Sequence, residues 1–124
     1  MNQVTSTHAP AAIGPYSQAI QTGNLVFVSG QLPIDPATSV LKIGDAADQT
    51  RRSMENIAAI LEAAGTSMAK VVKTTILTTD LTDFSAINEV YGSFFQGIAP
   101  ARACYQVAAL PKGAKIEIEV VAEL

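Results

Sequence analysis

The sequence predicts an α+β domain in which two helices lie on one face of a mixed β-sheet. Three observations predict it. β-Branched and aliphatic runs occur near both ends and once in the middle, two stretches carry apolar residues at helical spacing, and the order is strands, helix, strand, helix, strands. At 124 residues the chain is long enough to bury a proper core, and residues 1–124 are read as one domain.

Val4 to Ser6 reads as a short edge strand and Pro10 to Pro15 as an irregular segment. Ser17 to Gln21 and Leu25 to Ser29 read as strands paired around Gly23-Asn24. Leu25-Val26-Phe27-Val28 is apolar on both faces, the pattern of a doubly buried strand. Pro33, Asp35 and Pro36 mark a loop. Asp45 stands as an N-cap and Gly65 as a stop, and between them Met54, Ile57, Ile60, Leu61 and Ala64 form one apolar stripe. Val71 to Thr78 is β-branched and predicts a strand. A second helix starts at Thr82 or Asp83, where Phe84, Ile87, Tyr91, Phe94 and Phe95 recur every three or four residues. Strands from Ala101 to Val107 and from Lys115 to Ala122 complete the sheet.

Apolar residues make up 48% of the chain and charged ones 15%, against roughly 25% charged in globular proteins. So little charge predicts extra apolar surface hidden in an oligomer. A net charge of −3 and eight scattered basic residues argue against nucleic acid as the main partner, because phosphate binding needs clustered cations. Arg51-Arg52, the one adjacent basic pair, reads as a solvated helix face. Cys104 is the only cysteine, which rules out an intramolecular disulfide and fits a reducing compartment. With neither a signal-like N-terminus nor an apolar run near the roughly 20 residues of a membrane span, the cytoplasm is expected and a membrane role is not.

Pro100 to Glu119 concentrates the candidate chemistry. Arg102 can grip a planar anion with two parallel hydrogen bonds, and Glu117 or Glu119 can orient water or move a proton. Alternation places Arg102, Cys104 and Gln106 on one strand face. A hairpin centred near Pro111 would set Arg102 across from Glu119 and Cys104 across from Glu117. On spacing alone the favoured reading is a plain cross-strand ion pair. Tyr16, in the turn Gly14-Pro15-Tyr16, can aim a phenol into a cleft or merely pack. Ser29-Gly30 ends a buried strand, where backbone N–H groups become free for an anion. Asn88 reads as a buried structural amide and Cys104 as an inert buried thiol. His8 is the only histidine, so a Ser-His-Asp triad or a histidine-rich metal site would hang on one side chain; neither metal nor cofactor is expected.

The order of these residues resembles the signature of the RidA/YjgF/UK114 family of reactive-intermediate imine deaminases. It matches as Pro100-Ala101-Arg102, Leu110 and Ile116-Glu117-Ile118. Three further stretches also match: Ala11-Ala12-Ile13-Gly14-Pro15-Tyr16-Ser17-Gln18, Val28-Ser29-Gly30-Gln31-Leu32-Pro33, and Asp83-Phe84 with Asn88. The resemblance implies a chorismate-mutase-like fold in homotrimers with sites between subunits. It implies hydrolysis of 2-imino acids, in equilibrium with enamines, to 2-oxo acids and ammonia. Arg102 would then hold the substrate carboxylate, with N–H groups at Ser29-Gly30 helping. Glu117 would position water or transfer the proton, Tyr16 would close the pocket, and the backbone carbonyl of Cys104 would hold the substrate nitrogen. The short connector Gln96-Gly97-Ile98-Ala99 and Leu77 depart from the family pattern and leave the preferred substrate side chain open. Two readings of other classes stand beside this one: a 2-oxo acid binding or regulatory protein without turnover, and a ribonuclease or translation inhibitor.

Overall fold

In the computed structural model, which describes residues 1–124, the β-branched and aliphatic runs pair into one six-stranded sheet. Its strands are β1 (Asn2–Val4), β2 (Ala19–Thr22), β3 (Leu25–Gln31), β6 (Val71–Thr78), β7 (Ala101–Gln106) and β8 (Ile116–Glu123). They lie side by side in the order β1-β2-β3-β8-β6-β7. A separate small hairpin, β4 (Ile34–Asp35) with β5 (Val40–Leu41), precedes the helix α1 (Ala46–Ala63), and α2 (Phe84–Gly92) follows β6. Only β6 and β7 run parallel, so the sheet is mixed, and the expected α+β layering is observed. Neither helix is long and apolar enough to cross a membrane.

The α1 boundaries follow from local chemistry. The Asp45 carboxylate accepts the Asp48 N–H at 2.9 Å while Asp48 reaches back to the Asp45 N–H, a reciprocal capping box. Gly65, at φ +84°, takes the left-handed turn that ends the helix. The Met54, Ile57, Ile60 and Leu61 stripe is fully buried in one cluster with Val26, Val28, Ile116, Ile118 and Val120 of the sheet. By contrast α2 stops at Gly92, so Phe94 and Phe95 pack on the core from beyond the helix rather than along it.

Two expectations about strands are corrected. Val26 and Val28 of β3 are buried, but Leu25 and Phe27 lie on the helix-free face, where Phe27 is 45% exposed. One sheet side of this chain is therefore open, with Leu25 and Phe27 standing beside Lys73, Thr75, Glu117 and Glu119. The strands β7 and β8 do not form a hairpin, because β6 lies between them. The physical reason is the intervening helix: α2 returns the chain so that β7 lies parallel to β6, and a parallel pair needs such a crossover. Val107 to Lys115 then crosses to the other side of β6. The alternation itself holds. Arg102 stands beside Thr74 on the helix-facing side, and Glu117 stands beside Leu77 on the open side.

Candidate active site

The side chains singled out in the sequence form two separate groups in one chain. The first lines a groove of about 640 Å³ that includes Pro10, Tyr16, Ser29, Gly30, Glu117 and Glu119. Its wall is the irregular segment before β2, fixed by a residue that sequence reading did not single out. The buried Gln18 carboxamide accepts the Ser6 N–H at 2.6 Å and donates to the carbonyls of Ser6, Ala9 and Pro10. A buried amide with several backbone bonds is a strong local organiser. Its sequence signal was its place at the end of the matching stretch Ala11 to Gln18, which named the residue without giving it a role. Gly14, at φ +121°, lets the chain turn so that the Tyr16 N–H reaches the Gly14 carbonyl at 2.9 Å. The Tyr16 ring is left half exposed at the groove, its phenol oxygen accepting the Ile13 N–H at 3.4 Å.

The amide of Ser29 is not free for an anion, which corrects the expectation drawn from the strand end. It donates to the Gln18 carbonyl at 2.9 Å, and the Ser29 hydroxyl donates to the Ser17 carbonyl at 2.6 Å. The pairing of β3 with β8 slips between Val28 and Gln31, a bulge that sets Gly30 off the ladder register. A methyl group on Gly30 would sit 2.7 Å from Glu117 Oε2, so the carboxyl lies where a side chain at position 30 would be. Glu117 is half buried. Burial, reinforced by the negative charge of Glu119, holds its carboxyl above the ordinary range.

The second group faces the helices. The guanidinium of Arg102 donates from Nη1 to Asn88 Oδ1 at 2.6 Å. Its carbon lies 5.3 Å from the centre of the Phe84 ring and 5.1 Å from that of Tyr91. Asn88 is only half buried and serves this arginine, so its assignment as a buried structural amide is corrected. The chain's one ion pair joins Arg52 and Glu55 at 3.8 Å, which leaves Arg102 without a carboxylate. The thiol of Cys104 packs against the core, and burial pushes its pKa up despite Arg102, as expected of an inert cysteine. Because β7 is the last strand of the sheet, one side of its backbone has no ladder partner in the chain.

Arg102 and Cys104 are thus not brought to Tyr16, Gly30 and Glu117; β6 and the sheet itself stand between them. The arginine group can bind a planar anion, and the groove can hold a small molecule beside a carboxyl poised to exchange a proton. No three His, Cys, Asp or Glu side chains converge closely enough to hold a metal ion, and the exposed His8 stands apart from both groups.

Comparison with known proteins places these features. The family model described as Endoribonuclease L-PSP matches residues 6–124. The chain is 57% identical over 121 residues to a RutC family protein, y4sK, of Sinorhizobium fredii, covering 98% of this chain and 96% of that one. It is 48% identical over 119 residues to the mouse protein named 2-iminobutanoate/2-iminopropanoate deaminase, covering 96% and 88%. Among solved structures, RidA from an Antarctic Psychrobacter superposes with a TM-score of 0.96 at 47% identity, covering 100% of both chains. The chain belongs to the RidA/YjgF family, the group that the Endoribonuclease L-PSP model describes.

Proposed function

We propose that this protein hydrolyses reactive 2-imino acids, in equilibrium with their enamines, to 2-oxo acids and ammonia, in sites completed by a second copy of the chain. The observation that carries the reading is the half-buried guanidinium of Arg102, oriented by neutral groups and left without a carboxylate partner. Such a cation is a ready seat for a substrate carboxylate. The family membership and the deaminase name of the mouse relative support the reaction class.

The chemistry asks little of the protein. A protonated C=N carbon next to a carboxylate is already electrophilic, so neither a metal nor a covalent nucleophile is required. Arg102 clamps the carboxylate, and the Cys104 carbonyl on the edge strand accepts the iminium N–H. Glu117 of a neighbouring chain takes a proton as water adds to the C=N carbon, forming a carbinolamine. Glu117 returns that proton to the nitrogen, the C–N bond breaks with its electron pair leaving on ammonia, and the hydroxyl passes its own proton to Glu117 as the carbon becomes a ketone. Tyr16 covers the pocket and the Gly30 backbone borders it. Positioning supplies most of the effect.

The test generates 2-imino acids of several side chains in situ and times their loss. Arg102→Lys keeps the charge but loses the fork, so both turnover and binding of 2-oxo acid ligands should fall. Glu117→Gln should keep ligand binding while hydrolysis slows by about 10²-fold or more. A parent-like Arg102→Lys would remove the clamp, and a parent-like Glu117→Gln would make Glu119 the next candidate. Tight RNA binding that survives physiological salt would favour the ribonuclease reading instead.

A further inference from the structure

Arg102 rests on three side chains of one helical stripe. Phe84, Asn88 and Tyr91 stand four and then three residues apart on α2, a spacing that puts them on one face. All three are neutral, so they hold the cation without cancelling its charge. Tyr91 is itself pinned from behind. Its phenol shares a buried 2.7 Å hydrogen bond with the Thr74 hydroxyl, and Thr74 is the residue paired with Arg102 in the β6–β7 ladder. Phe95 lies against the Tyr91 ring, with centroids 4.9 Å apart. Backbone pairing, hydroxyl pair and ring contact thus close a circuit from Arg102 through Thr74 and Tyr91 back to Arg102. Burial also keeps the Tyr91 phenol in its neutral form, its pKa raised even though Thr74 and Arg102 oppose the shift.

We infer that Thr74 and Tyr91 are positioning residues for the anion clamp: their hydroxyl pair fixes the Tyr91 ring and, through it, the direction in which the Arg102 fork points. The inference rests on Arg102 being the carboxylate clamp. A two-pronged hydrogen bond tolerates little rotation of the guanidinium plane, so the seat beneath the arginine sets how much of the fork is usable. A pair that merely ties β6 to α2 would stabilise folding without touching affinity, and the two accounts separate in measurement.

Pyruvate binding by calorimetry, thermal unfolding and imine-hydrolysis kinetics are compared on the folded full chain for Tyr91→Phe, Thr74→Val and the double variant. Each single change removes the hydroxyl pair while keeping shape. Each should weaken pyruvate binding by about three- to tenfold and raise KM more than it lowers kcat. The double variant should bind no more weakly than the worse single one, because one contact is being removed. Thr74→Ser, which restores a hydroxyl, should bind like the parent. Parent-like affinity in both single variants, whether or not their melting temperature falls, would overturn the inference. Asn88→Asp tests the neutrality of the seat without disturbing the core. A carboxylate in place of the amide 2.6 Å from the guanidinium should cancel the clamp and cost about tenfold or more in pyruvate affinity while thermal stability holds. Parent-like binding by that variant would also count against it. Failure of the clamp itself is read separately, from Arg102→Lys binding pyruvate like the parent.

Discussion

Two causes raise the pKa of Glu117, and one of them can be removed without the other. Burial is the larger cause and the charge of Glu119 the smaller. Glu119→Gln removes the second and leaves the first, so the Glu117 carboxyl should titrate lower but still above an ordinary glutamate. If ionised Glu117 is the base, kcat/KM rises with pH through its folded pKa, and this substitution shifts the acidic limb to lower pH. An unmoved limb would mean that another group controls the rate. The same residue bears on stability. Its folded pKa lies above the ordinary glutamate value of 4.5, so its contribution is present below 4.5 and is lost as pH rises through the folded value. Glu117→Gln should flatten stability across that window in pH-dependent denaturation. Gly30 offers a subtler change. A methyl there meets the far end of the Glu117 side chain, which can swing aside without disturbing the backbone. Gly30→Ala should therefore fold normally yet lose activity by about 10²-fold, the scale expected when a catalytic group is misplaced by about an ångström.

At the scale of elements, what depends on local chemistry was legible and what depends on long-range pairing was not. The Asp45 cap, the Gly65 stop and the buried stripe of α1 were all readable, because a cap, a left-handed turn and a 3.6-residue period are written within a few positions of one another. Ile57, wholly buried in that stripe, should cost about 2–5 kcal/mol when changed to Ala, measurable as a lower denaturation midpoint in urea at unchanged slope. The β6 bounds from Val71 to Thr78 were equally plain. The β7–β8 hairpin was wrong because adjacency in sequence suggested pairing, whereas the β6–α2–β7 crossover decides it. Arg102 and Glu117 were each identifiable from residue type and motif. Their placement on opposite faces depended on a strand inserted between theirs, which no local pattern encodes. The Ser29 amide was misread for a different reason: the expected pairing around Gly23-Asn24 already set Ser29 opposite Gln18, whose carbonyl takes its N–H, and the glycine after it was read as the end of that ladder.

At the scale of the whole molecule, the open sheet face and the divided site pose the same question. Leu25, Phe27 and Tyr105 lie exposed on one side of the sheet, Tyr105 by 58%, with Lys73, Thr75 and Glu119 between them, a mixed face that no helix of this chain covers and that a second copy could. We expect light scattering at micromolar concentration to give three times the chain mass of 13.0 kDa. Mass alone would not prove a shared site, but mixing inactive variants would. Chains carrying Arg102→Lys retain a good Glu117, and chains carrying Glu117→Gln retain a good Arg102. If each site takes its arginine from one chain and its glutamate from the next, unfolding and refolding an equal mixture at random rebuilds about one intact site in four. The mixture should then regain about a quarter of parental imine hydrolysis, while each variant refolded alone stays near its own low rate. If both residues served a site within one chain, every site in the mixture would carry one defect and no activity would return. Exchange of chains is verified in the same sample by mass spectrometry of the intact assemblies. A mixture that contains both chains in one particle yet stays inactive would place Arg102 and Glu117 in separate sites or in the same chain, and the shared-site reading would fall.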